Sequence, residues 1–160
     1  MVRVTIRPLD HAVDAPICDA IVAGLPAWFG NADGIAECAI AVRDHDGLVA
    51  VERDEVVGFV TFEERTRVGW EITWMAVRAD RRARGVGSAL VEALGNVLPA
   101  DTEVLFVKTL SDRAGDPGPE YAATRAFYLA RGFRPMAELD IWGPENPCQL
   151  LGRRRTSAPA

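Results

Sequence analysis

Residues 82 to 87 read Arg82-Ala83-Arg84-Gly85-Val86-Gly87, and their types and spacing suit the binding of an anion. Amides at the start of a helix lack intrahelical acceptors, and the helix dipole adds about half a positive charge there. Glycine at positions 85 and 87 removes the Cβ atoms that would hold a ligand away from the main chain. Arg82 and Arg84 add formal charge. The chemistry implied is capture of a phosphate or pyrophosphate, the plainer alternative being a basic turn entering an ordinary helix.

Two elements must position this loop. Upstream, Val68 to Val77 reads as a strand with Trp70, Ile72, Trp74 and Ala76 on one face and Glu71, Thr73, Met75 and Val77 on the other. Downstream, Val86, Ala89, Leu90, Ala93, Leu94, Val97 and Leu98 fall on one helical stripe, with Glu92 and Asn96 outside it. The order is strand, glycine-bearing basic loop, helix.

Other phosphate motifs fail here. A dinucleotide fingerprint needs a third glycine where Leu90 stands. A nucleoside-triphosphate loop ends in Gly-Lys-Ser/Thr, and Lys108 is the sole lysine of the chain. The Arg-x-x-Gly-x-Gly pattern instead resembles the coenzyme A pyrophosphate loop of the GNAT acyltransferase superfamily. Glu71 to Gly87 is similar to that family's fourth strand and loop. Thr124 to Phe133 is similar to its later helix ending in Gly-Phe, and Val4-Thr5-Ile6-Arg7-Pro8 resembles its first strand.

The resemblance implies an α/β (α+β) fold: a central mixed, mostly antiparallel sheet with splayed fourth and fifth strands and helices on both faces. It implies acetyl-CoA as cosubstrate and no metal. Main-chain groups of Met75, Ala76 and Val77 would hold the pantetheine arm as an added strand would. Amides from Arg82, Ala83, Arg84, Gly85, Val86, Gly87 and Ser88 would hold the pyrophosphate. Glu71, six residues before Val77, matches the base glutamate of the family's histone acetyltransferases. An amine of pKa about 10.4 costs roughly 4–5 kcal/mol to deprotonate at pH 7, so a base is useful. The alternative for Glu71 is a strand glutamate that is solvated or paired with an arginine. Tyr128 stands where the family's Tyr-x-x-x-Gly-Phe motif has its tyrosine, the donor to the leaving thiolate; the alternative is a tyrosine closing the core edge. Tyr121 occupies a position where many members have asparagine, so Thr109, Ser111 or Thr124 would supply the missing contact, and Thr124 joins the expected cofactor residues. Trp28 and Phe29 follow the first helix, a region that shapes the acceptor site in this superfamily.

Composition bounds the remaining classes. At 160 residues, with 49% hydrophobic and 26% charged residues, the chain reads as one soluble domain over 1–152 with a polar C-terminal tail over 153–160. A net charge of −5 argues against nucleic acid as the main partner, and no apolar run approaches a membrane span. The N-terminus lacks a signal-peptide pattern. Cys18, Cys38 and Cys148 show no metal or redox spacing and read as buried thiols in a reducing cytoplasm. His11 and His45, the two histidines, lie in no recognisable motif.

Periodicity and turn signals give strands over 2–7, 48–52, 56–63, 103–109, 133–142 and 148–151, and helices over 11–23, 33–42 and 120–131, the last ended by Gly132. The function these readings support is N-acetylation, acetyl-CoA donating to a primary amine, of a small molecule rather than a protein, by direct attack in a ternary complex. The rival is a non-catalytic acyl-coenzyme A sensor. A homodimer is left open.

Overall fold

The computed structural model describes residues 3–155. Its elements are β1 (Thr5–Pro8), α1 (His11–Ala23), α2 (Ala32–Asp44), β2 (Asp46–Glu52), β3 (Glu55–Thr66), β4 (Gly69–Val77), a 3-10 turn (Ala79–Arg81), α3 (Val86–Val97), β5 (Val104–Leu110), α4 (Pro119–Ala130), β6 (Arg134–Leu139) and β7 (Cys148–Arg154). The chain divides into two compact units, the boundary falling after Glu63 in β3 and after Glu71 in β4, with the second unit resuming at Asp101.

In the first unit β1, β2 and β3 form an antiparallel meander, with Ile6 opposite Ala50 and Val49 opposite Phe59. The β2–β3 hairpin turns on Arg53 and Asp54, both left-handed (φ 51° and 66°). That is the backbone a tight two-residue hairpin demands, met here without glycine at about 1 kcal/mol per residue. Asp10 caps α1 by accepting from the amides of Ala12 and Val13, and Asn31 caps α2 through the amides of Asp33 and Gly34. Cys18, Ile21 and Val22 of α1 meet Cys38 and Val42 of α2 over Val49 and Phe59. Gly58, next to Phe59 in β3, instead faces Val86 and Leu90 of α3, so helices cover both faces of these strands.

In the second unit β7 pairs antiparallel with β5 on one side and β6 on the other. Pro119 opens α4, and Gly132 follows it in the left-handed conformation (φ 85°) expected of a helix cap. Phe133 is fully buried beyond that turn.

Several sequence expectations shift. Strand β6 stops at Leu139, leaving Trp142 in an exposed turn, because β6 pairs only with β7 and that ladder ends at Cys148. Strand β7 runs to Arg154 and so takes in Arg153 and Arg154, which composition alone placed in the tail. Val97 points outward from α3, and Val91 is buried in its stead. Val2 of the expected first strand and residues 156–160 of the expected tail lie outside the described residues.

Candidate active site

The glycine loop has the geometry its sequence implies. Arg82 is extended, Ala83 is left-handed (φ 59°), and Gly85 is the N-cap of α3 with φ 84°. A Cβ built on Gly85 would meet nothing within 4 Å, so glycine is required there by backbone conformation and not by crowding. Gly85 offers no side-chain cap, and the first turn of α3 carries no acid. Among the described residues the amides of Val86 and Gly87 have no acceptor. Arg84 is exposed and has no ion-pair or hydrogen-bond partner among the described residues, whereas Arg81 is paired with Glu52 and Asp80, and Arg78 with Glu55 and Asp80. The Val86 side chain is buried, which anchors the helix start from below.

Strand β4 presents its main chain selectively. The amide of Arg78 donates to Val57 O at 2.8 Å, and the carbonyl of Ala76 lies beside Gly58. Alternation then turns the amides and carbonyls of Met75 and Val77 to the edge of β4 away from β3. Two of the three residues expected on the pantetheine arm have that orientation; Ala76 faces β3. Thr73 and Trp74 also depart from simple alternation. Thr73 reaches His45, the C-cap of α2, while Trp74 lies against Gly34 in the first turn of α2 and stacks at 6.0 Å on Phe29. Half-buried Trp28 and Phe29 pack on the α1–α2 core, and the Arg82 guanidinium lies 4.0 Å over the Trp28 ring.

In the second unit, Glu71 is almost fully buried and doubly engaged. Arg65 Nε donates to its Oε2 at 2.5 Å and Lys108 Nζ lies 3.1 Å from its Oε1. This is the arginine-paired arrangement with a second cation added. Neither Arg65 nor Lys108 could be assigned from sequence, since only folding places them beside residue 71.

Tyr128 is 4% exposed, ringed edge-on by Phe127 and Phe133, and its hydroxyl makes no hydrogen bond among the described residues. Burial pushes its phenol well above the ordinary range, so it stays protonated and able to donate. Thr124 back-bonds to Glu120 O at 3.1 Å. Ser111 donates to Glu138 and accepts the Arg113 amide. Thr109 is buried. Of the three residues considered as replacements for the asparagine, two therefore already carry internal bonds.

One polar array was not foreseen. His45 Nδ1 lies 3.0 Å from Thr73 Oγ1, His45 Nε2 lies 3.2 Å from Glu63 Oε1, and Thr73 Oγ1 lies 2.7 Å from Thr61 Oγ1. Twenty-eight residues separate His45 from Thr73, and no local pattern in the sequence announces the contact.

Residues 43–135 match the family model described as the acetyltransferase (GNAT) domain. No curated protein matches the chain. Among solved structures, Ard1 from Thermoplasma volcanium superposes with a TM-score of 0.74 at 22% identity, covering 98% of this chain and 100% of its own. The ribosomal-protein-S18-alanine N-acetyltransferase from Escherichia coli gives 0.75 at 17% identity, covering 98% and 97%. An aminoglycoside 6'-N-acetyltransferase complexed with coenzyme A gives 0.71 at 19% identity, covering 98% and 99%. The fold is thus the α/β acetyltransferase fold, with a mixed, mostly antiparallel sheet and accompanying helices. The chain belongs to the GNAT acetyltransferase family, and its class is that of an N-acetyltransferase drawing on acetyl-CoA.

Proposed function

We propose that the protein transfers the acetyl group of acetyl-CoA to the primary amine of a small, cationic molecule, by direct attack within a ternary complex. The observation that carries this reading is the uncapped start of α3, with left-handed Gly85 and unpaired Arg84. In the scheme, amides and arginines of residues 82–88 hold the pyrophosphate, and Met75 and Val77 pair with the pantetheine arm. Tyr128 donates to the departing thiolate. Glu71, the base that the family pattern suggests, could take the amine proton only in exchange for the bond to one of its two cations. Trp28 and Phe29 border the acceptor. A net charge of −5 supports a cationic acceptor. The three buried, unpaired cysteines suit a cytoplasmic setting.

The engagement of both Glu71 oxygens favours a second reading, a sensor that binds acyl-coenzyme A without turning it over. Thiol release from acetyl-CoA across a panel of spermidine, an aminoglycoside and a peptide with N-terminal alanine separates the two. Turnover on spermidine or the aminoglycoside supports the proposal. Turnover on the peptide alone rejects the small-molecule acceptor, and binding without turnover on any of them supports the sensor.

A further inference from the structure

We infer that Thr73, His45 and Glu63 form a proton relay that removes the proton from the acceptor amine. The inference rests on the proposed transferase reading and adds residues to it that the family pattern of the sequence did not mark.

The direction of the relay follows from one ion-pair contact and the hydrogen bonds beside it. A carboxylate oxygen accepts only, and Glu63 Oε1 lies 3.2 Å from His45 Nε2, within ion-pair distance. A negative charge that close favours the hydrogen on Nε2. In the neutral ring Nδ1 then bears a lone pair, which must accept from Thr73 Oγ1 at 3.0 Å. Thr73 has a single hydrogen, now used, so its 2.7 Å contact with Thr61 is a bond donated by Thr61. One lone pair of Thr73 is left over. It is an acceptor for an incoming N–H, in line with an imidazole already ordered by a carboxylate. Among the described residues, groups facing His45 come from three elements: Glu63 from β3, Thr73 from β4, and His11 from α1, whose Nε2 lies 2.7 Å from the His45 carbonyl. Thr61, fully buried, closes the array from β3.

Placement along β4 supports the assignment. The proposed donor runs from the pyrophosphate at residues 82–88 past Val77 and Met75. Each step of two residues along a strand covers about 7 Å. Continuing in that direction brings the acyl end to the level of Thr73. Glu71 lies one step further, with each oxygen committed to a cation. The relay puts the proton on His45 and leaves both of those ion pairs in place.

The step balances. As the ammonium proton passes to Thr73 Oγ1, the Thr73 proton passes to His45 Nδ1, giving an imidazolium beside the Glu63 carboxylate. The freed nitrogen lone pair forms the bond to the thioester carbon. The carbon–sulfur bond breaks, and the second proton shed by the nitrogen goes to the departing thiolate, so that the products are the amide, the free thiol and one proton on His45.

The test compares His45→Gln, Thr73→Val, Thr73→Ser and Glu71→Gln in thiol release with the same three amines, alongside calorimetry with acetyl-CoA. The relay predicts that His45→Gln and Thr73→Val lower kcat by about 10²–10⁴-fold and lose the acid limb of the pH–rate profile. Acetyl-CoA affinity should stay within about twofold, and Thr73→Ser should restore turnover to within about tenfold of the parent. Nitrogen NMR of the parent protein should show Nε2 protonated and Nδ1 bare in the neutral His45 ring. The relay is overturned if both His45→Gln and Thr73→Val retain kcat while Glu71→Gln loses it, or if the NMR shows the opposite tautomer. A parent protein that binds no acetyl-CoA, or binds it and acetylates none of the amines, removes the transferase reading itself and the relay with it. The NMR readout does not depend on turnover, so the two failures can be told apart even where His45→Gln or Thr73→Val folds poorly.

Discussion

The guanidinium of Arg82 lies 4.0 Å above the ring of Trp28. This contact joins the loop expected to hold the donor to an aromatic expected beside the acceptor. It also leaves the guanidinium without a carboxylate partner among the described residues, while partial desolvation of this otherwise exposed residue disfavours the charged form. An arriving pyrophosphate would offset that desolvation. Trp28→Ala should therefore release Arg82 and weaken acetyl-CoA binding by roughly 0.5–2 kcal/mol. Calorimetry with Trp28→Ala and Arg82→Ala measures this; equal affinity in both variants and the parent would take Arg82 out of the donor site.

Tyr128→Phe removes a hydroxyl that has no hydrogen-bond partner among the described residues and leaves the ring packing against Phe127 and Phe133 intact. Stability should change by less than about 0.5 kcal/mol, while turnover falls by about 10²–10⁴-fold. The raised phenol also has a consequence for pH. The unfolded tyrosine ionises first, near pH 10, so the stability contributed by burying it is complete below that value and is lost as pH rises further. Thermal melts from pH 8 to 11 should show the parent and Tyr128→Phe melting alike up to about pH 10 and the parent falling below the variant above it.

Gly85→Ala separates conformation from ligand access. No neighbour lies within 4 Å of the added Cβ, so the cost to the free protein is that of a left-handed alanine, about 1 kcal/mol. A larger loss in acetyl-CoA affinity than in stability would show that the donor approaches the main chain there. Equal losses would mean that the glycine serves only the turn.

Arg7 clasps the fully buried Asp14 with bonds of 2.7 and 2.9 Å, and Asp14 also accepts the Asp10 amide at 2.8 Å. The bond from Arg7, with that from Asp10, holds the carboxyl below its ordinary value. A depressed carboxyl stabilises the fold above its unfolded pKa, near 3.9, and the contribution disappears as pH falls through the lower folded value. Asp14→Asn should cost about 1–3 kcal/mol at pH 7, and the gap between variant and parent in melting experiments should close below pH 4.

Local signals carried much of the fold. The helix over His11–Ala23 follows from its closing Gly24, and the end of α4 follows from Gly132, while the Asp10 cap of the first helix is a finding of the structure. The loop at 82–87 was legible because glycine, charge and helix start lie together in six residues. What escaped depends on pairing across the chain. Strand β6 ends where its partner β7 ends, Lys108 and Arg65 reach Glu71 only in the folded unit, and Thr73 meets His45 through the close of α2. Strict alternation along β4 put Thr73 and Trp74 on opposite faces, yet both meet residues of α2 or its cap, a local irregularity that period-two counting cannot register.

The most direct measurement is titration of acetyl-CoA into the protein by isothermal calorimetry, with Gly85→Ala and Arg84→Ala in parallel. The account predicts one site per chain that survives in the parent and weakens by about tenfold or more in each variant, as expected for loss of a charge-assisted contact or of close main-chain approach. An absence of binding heat across a range of temperatures, or variants that bind as the parent does, would contradict it.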